Sequence, residues 1–142
     1  MNQIKIKLLT LSAKLPTRST VGSAAYDLYA SEHIVIPFGD VSRVPVGFAV
    51  EVPEGFYADL RLRSGFASKN SAALCSSGVV DSDYRGEVLI PVINHGSDMI
   101  VISVGDRIGQ MLILPVPETE IVQVADLSKT VRAGGGFGST GK

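Results

Sequence analysis

The chain has 142 residues, of which 45% are hydrophobic and 19% charged, with a formal net charge of −1. That length makes one domain with a core of its own. The balanced charge provides no long-range field for a polyanion such as nucleic acid, so any phosphate must be held by a local cluster of cations. The single Cys75 excludes an internal disulfide and a cysteine-based metal site. Neither His33 nor His95 lies in a cysteine-enzyme context, so Cys75 is expected to be a small core residue. No run reaches the ~18 apolar residues of a membrane-spanning helix, and the N-terminal stretch lacks the unbroken apolar core of a leader. The expectation is a soluble, intracellular protein, cytoplasmic, nuclear or of viral origin, with no membrane or nucleic-acid partner. So many apolar residues beside so few charges lean towards burial between subunits.

In chain order, "IKIKLLT" alternates with period two and puts Ile4, Ile6 and Leu8 on one face. "AAYDLYAS" is strand-like and carries Asp27 among apolar neighbours. A carboxylate there either bonds to structure or orients water on Mg²⁺. "VPVGFAVEV" places Val44, Val46, Phe48, Val50 and Val52 on one face, and "FYADLRLR" points Phe56, Ala58, Leu60 and Leu62 inward with Asp59, Arg61 and Arg63 opposite. "SGFASKN" predicts a short helical turn capped by Ser64. "EVLIPVIN", "MIVIS", "RIGQMLILPV" and "TEIVQV" are β-branched-rich runs of strand length. Turn signals such as "VPEGF", "SDYRGE" and "NHGSD" separate them. Many short strands with frequent turns predict an all-β sandwich, jelly roll or barrel.

Four stretches carry chemistry. In "LRLRSGFASKN", Arg63 arrives on a strand, and the Ser64–Gly65 pair offers free amides and a hydroxyl, the ingredients of a phosphate site. In "SSGVVDSDYRGEV", a carboxylate at the mouth of a hairpin can act as general base on water, and both Asp81 and Asp83 qualify. Tyr84 offers a face for a sugar or base. In "VGDRIGQMLIL", Arg107 follows a Gly-Asp turn, and Gln110 needs a partner in an otherwise apolar strand. The tail "VRAGGGFGSTGK" holds most of a P-loop. It has no preceding strand and no following helix, so it reads instead as a Gly-rich arm that closes over a site built elsewhere.

Taken together and in order, "AAYDLYAS", "RSGFA", "GVVDSDYRGE", "GDRIGQ" and "RAGGGFGSTG" resemble the five motifs of the trimeric dUTP pyrophosphatase (dUTPase) family, over nearly the whole chain from Pro16 to Gly141. The resemblance implies a jelly-roll-like all-β domain over residues 1–131 and a flexible arm over 132–142 that reaches a neighbouring subunit of a homotrimer with shared sites. It implies Mg²⁺-dependent hydrolysis of dUTP to dUMP and pyrophosphate, which keeps uracil out of DNA and supplies dUMP for thymidylate synthesis. It selects Asp81 as the residue that activates the attacking water. Tyr84 would lie under the deoxyribose, and the backbone at Gly78 and Val79 would read uracil. Ser64, Gly65 and Gln110 would hold the phosphates, supported by Arg63 and Arg107, and Asp27 would face the metal through water. Phe137 would stack on the base, Arg132 would reach the γ-phosphate, and the backbone at Gly138 and Ser139 would wrap the phosphates. Departures from the family pattern are Ala25, Phe66, Ala133 and the run "ALCSSGVVD". The dCTP deaminases share the fold, but their catalytic Glu aligns with Pro91, which can neither donate nor accept a proton. A non-catalytic jelly-roll module would not need Asp81, Tyr84, Arg132 and Phe137 together.

Overall fold

The structure, a computed structural model, describes residues 3–136. Ten strands and one short helix follow each other as β1 (Lys5–Leu8), β2 (Tyr26–Tyr29), β3 (Ile34–Ile36), β4 (Val41–Glu51), β5 (Phe56–Leu62), α1 (Ser64–Asn70), β6 (Ala72–Leu74), β7 (Val79–Val80), β8 (Glu87–Asn94), β9 (Ile100–Ile102) and β10 (Arg107–Pro115). Two four-stranded sheets, ordered β1-β4-β8-β6 and β2-β10-β5-β7, enclose the core, and β3 pairs with β9 in a third, two-stranded sheet. All strand pairings are antiparallel. The architecture is the all-β fold that the sequence predicts.

The alternation explains the layers. Val44, Val46, Phe48, Val50 and Val52 are buried from β4 onward, in one core with Leu28, Ile36, Ile90, Ile102, Ile108 and Met111. On β5, Ala58 and Leu60 are buried. A register shift between Pro45 and Ala49 marks a bulge in β4, and there the Gly47 amide donates to Glu87 Oε1 at 3.0 Å. This bond fixes the start of β8 and thus one arm of the hairpin discussed below. Asn94, at the other end of β8, is fully buried. Its Nδ2 donates to the carbonyls of Ile36 and Asp98 at 2.9 and 2.8 Å, and its Oδ1 accepts from the Gly96 amide at 2.9 Å. A buried amide with three partners is a pin between sheets.

Three local expectations fail, each for a physical reason. Ser64 does not cap the helix: Arg63 occupies the cap position with no side-chain cap bond, and Ser64 is the first helical residue. Cys75 is exposed rather than core. Its amide still donates to the Pro91 carbonyl at 3.0 Å, continuing the β6–β8 register. Pro91 has no N–H to return, so the ladder ends there and the chain turns outward. Finally, Thr119–Val124 forms no strand. Ile121 and Leu127 are 99% and 87% exposed, for this segment finds no partner edge within its own chain.

Candidate active site

The turn between β7 and β8 is locked from inside. The Tyr84 amide donates to the Asp81 carbonyl at 3.2 Å. Arg85 folds back, its Nη1 donating to the carbonyls of Ser82 and Tyr84 at 2.7 and 2.9 Å. The Tyr84 hydroxyl donates to the Glu87 carbonyl at 3.0 Å, which lays the ring along the turn while leaving it 44% exposed. Asp81 and Asp83 are both exposed at the tip.

The two arms of this hairpin do not pair with each other. β7 is the outer strand of one sheet, bonded only to β5, whereas β8 lies between β4 and β6 in the other. The outer edge of β7 therefore keeps backbone N–H and C=O groups without strand partners. A cavity of about 270 Å³ opens between the arms, lined by Gly78, Val79, Val80, Asp81, Tyr84 and Val88 together with the loop Ser76–Ser77. Gly78 lets the backbone run flush on β5: the Leu60 amide donates to its carbonyl at 2.8 Å, and an added Cβ would collide with the Leu60 carbonyl oxygen.

A second cavity, of about 550 Å³, is lined by Asp27, Arg61, Arg63, Ser64, Gly65 and Gln110, with Ser19 at its rim. Asp27 is buried at its centre. Its Oδ1 pairs with Arg63 Nε at 3.0 Å, and its Oδ2 with Arg107 Nη1 at 3.3 Å and Ser19 Oγ at 3.1 Å. The buried carboxylate is thus bonded to structure and holds two guanidiniums in place. Gln110 sits in register between Asp27 on β2 and Arg61 on β5, so all three side chains share one face. The first amides of α1, at Ser64 and Gly65, have no intrahelical partner and no side-chain cap. Among the described residues no three His, Cys, Asp or Glu cluster as a metal cage.

The structure brings Gly78, Val79, Asp81 and Tyr84 to the first cavity and Asp27, Arg63, Ser64, Gly65 and Gln110 to the second, with Arg107 behind Asp27. Arg132 lines neither; its Nε donates to the Gly135 carbonyl at 2.9 Å within its own turn. Phe137, Gly138 and Ser139 lie outside the described residues. Sequence reasoning missed Ser19, the Arg85 clamp and the place of Arg61 in the second cavity. Only Arg61 left a signal, through its alternation with Arg63 on β5.

The two cavities open on opposite faces of β5: the inward Leu60 borders the first and the outward Arg61, next to it, borders the second, while Asp81 and Ser64 lie towards different ends of the strand. Val80 is in register with Ala58, while Ser64 lies six positions further along the chain. At about 3.3 Å per strand residue the hairpin tip and the Ser64 amide are roughly 20 Å apart.

A family model described as dUTPase matches residues 12–141. The chain belongs to the dUTPase family. It is 46% identical over 149 residues to the deoxyuridine 5'-triphosphate nucleotidohydrolase of Desulfitobacterium hafniense (strain DSM 10664 / DCB-2), covering 99% of both proteins. With the enzyme of the same name from Yarrowia lipolytica it shares 42% identity over 140 residues, covering 97% of this chain and 88% of that protein. Among solved structures, the dUTPase of Staphylococcus bacteriophage 80alpha with dUpNHpp superposes with a TM-score of 0.93 at 27% identity, covering both chains fully. The fold also matches a phage phi11 dUTPase of S. aureus described as coordinating a structural Mg(II) ion, at a TM-score of 0.84 and 24% identity over 90% of this chain and all of that one. No described helix of this dUTPase is long and apolar enough to cross a membrane.

Proposed function

We propose that this dUTPase hydrolyses dUTP to dUMP and pyrophosphate by in-line attack of water on the α-phosphorus, in sites shared between subunits of a homotrimer. The observation that carries the reading is the unpaired gap between β7 and β8, with Asp81 and Tyr84 at its mouth. Uracil presents an acceptor–donor–acceptor edge and can take the place of a missing strand, bonding the backbone at Gly78 and Val79. Cytosine carries an amino donor where uracil has an acceptor, so amides fixed by the fold would go unpaired. Tyr84, held by its hydroxyl, forms a rigid floor under the deoxyribose that leaves no room for a 2′-hydroxyl. Asp81, exposed at the tip, accepts the proton of the attacking water.

The triphosphate belongs in the second cavity, on the amides of Ser64 and Gly65 and the amide of Gln110. Roughly 20 Å separates this cradle from Asp81 in one chain, too far for one nucleotide to engage both. The base-reading hairpin and the phosphate cradle of one site therefore come from different copies. Residues 116–131 form neither strand nor helix and are exposed throughout, Ile121 and Leu127 included, and the arm from Arg132 onward reaches a neighbour's site. There Arg132 leaves its Gly135 bond for the γ-phosphate, Phe137 covers the base, and Gly138 and Ser139 wrap the phosphates.

Charge balance explains the need for further cations. Around the second cavity Arg61, Arg63 and Arg107 face Asp27 and Asp59, a surplus of one positive charge against a triphosphate. Arg132 supplies part of the rest. Asp27 fits a water-mediated role towards Mg²⁺: a carboxylate has about four lone-pair sites, of which Arg63, Arg107 and Ser19 take three. With one carboxylate and no cage, the site suits an ion that arrives on the phosphates with its waters. When bound, Mg²⁺ neutralises phosphate charge and fixes the chain for in-line attack.

The test is pyrophosphate release from dUTP, dTTP, dCTP and UTP with Mg²⁺, beside Asp81→Asn. Release from dUTP alone, reduced about 10²–10⁴-fold in the variant while dUTP still binds, is the expected result. Binding of dUTP without release by the wild-type protein would overturn the catalytic reading.

A further inference from the structure

Arg61 is the one guanidinium at the phosphate cavity not bound to Asp27. Its Nε and Nη2 both lie 2.8 Å from Asp59 Oδ2, and its side chain is 58% exposed. It lines the cavity wall beside Gln110, with which it is in register on the same face. Asp59 sits two positions back on β5, between Leu112 and Val79, with its side chain 19% exposed. It is not among the residues that line the cavity. A guanidinium at a phosphate cavity is thus parked on one carboxylate oxygen, an anionic acceptor of the kind that a phosphate also offers.

We infer that Arg61 is a further triphosphate-binding residue of this site and that Asp59 is an internal competitor for it, so that substrate binding exchanges the Asp59 bond for a phosphate bond. The inference rests on the second cavity being the triphosphate cradle. In the empty site the Asp59 pair cancels the Arg61 charge, leaving the cavity only weakly cationic. A triphosphate, with more charge than one carboxylate, displaces Asp59. A monophosphate product offers less charge to hold Arg61, and the guanidinium returns to Asp59. The pair therefore favours release of dUMP over its retention.

The two partners give opposite signs, which a purely structural ion pair would not. Binding of a non-hydrolysable imido analogue of dUTP, and of dUMP, is measured by calorimetry for the wild type, Arg61→Ala, Asp59→Asn and the double variant, with thermal melts as a folding check. Arg61→Ala is expected to weaken the analogue about tenfold, the scale of one lost charge-assisted bond, and to weaken dUMP less. Asp59→Asn, which removes the competitor without changing shape, is expected to tighten the analogue several-fold. The double variant should behave as Arg61→Ala. Equal-signed shifts in both single variants, or no shift in either, would overturn the competitor role. Rates of dUTP hydrolysis are recorded on the same proteins. A wild type that binds but does not turn over dUTP would sink the catalytic reading, while the signs of the binding shifts would still decide the role of Arg61.

Discussion

The hydroxyl of Tyr84 is tied to the carbonyl of Glu87 at 3.0 Å, and the ring passes over a residue that has no side chain. That residue is Gly86, and a Cβ there would overlap the Tyr84 hydroxyl and ring. The glycine is what lets the ring lie flat on its own turn.

Gly86→Ala is therefore expected to lift the ring and break its bond to Glu87 with little effect on the core. If Tyr84 is the floor of the sugar site, kcat/KM for dUTP falls about ten- to a hundredfold, the usual scale for a displacement of about 1 Å. Discrimination against UTP narrows with it. Steady-state rates on both nucleotides check this, and an unchanged dUTP to UTP ratio would remove Tyr84 from sugar selection.

Asp27→Ala leaves Arg63 and Arg107 beside each other with no anion between them. Breaking a buried pair costs about 3–5 kcal/mol, but these arginines are 32% and 48% exposed, so solvent screens part of the loss. A destabilisation of about 1–3 kcal/mol is expected in urea or thermal unfolding. Asp27→Asn, which keeps the shape and a carbonyl acceptor, should recover part of it. Full stability in Asp27→Ala would mean that the cluster does not hold the sheet edge together.

Ending the chain at Val131 removes Arg132 and the rest of the arm but none of the ten strands. The unfolding midpoint and sedimentation behaviour should be those of the intact protein, while turnover of dUTP falls about a hundredfold or more, as for loss of preorganised charge at a phosphoryl centre. Retained turnover would exclude the arm from catalysis.

Much of the fold was legible in the sequence. The apolar residues picked out on β4 are buried, although β4 is covered on both faces from Val44 to Val50; on β5 Ala58 and Leu60 are inward as expected, because period two along a half-buried strand has one reading. What was illegible depended on partners. "TEIVQV" has the composition of a strand, but a strand needs an edge to bond, and its own chain offers none. Cys75 has the composition of a core residue, but Pro91 across the ladder ends the pairing at that point. The helix at Ser64 carries a good capping residue one position too late, since Arg63 stays extended to complete the strand. In the site, the hairpin residues were visible as a motif, whereas the Asp27–Arg63–Arg107 cluster joins three segments distant in sequence and follows only from the registers of β10 against β2 and β5.

The separation of hairpin and phosphate cradle along β5 has a genetic consequence. If each working site takes Asp81 from one copy and Ser64 from another, the two functions can be lost independently. Protein carrying Asp81→Asn and protein carrying a disabled cradle, such as Ser64→Asp, should each be nearly inactive alone. Unfolded together and refolded as a mixture, they should regain turnover, because some mixed assemblies contain one site with both halves intact. In a cell with two alleles, each defective at a different end of this strand, the same arithmetic would rescue the pair. A single defective allele would spoil sites in assemblies that also contain healthy chains.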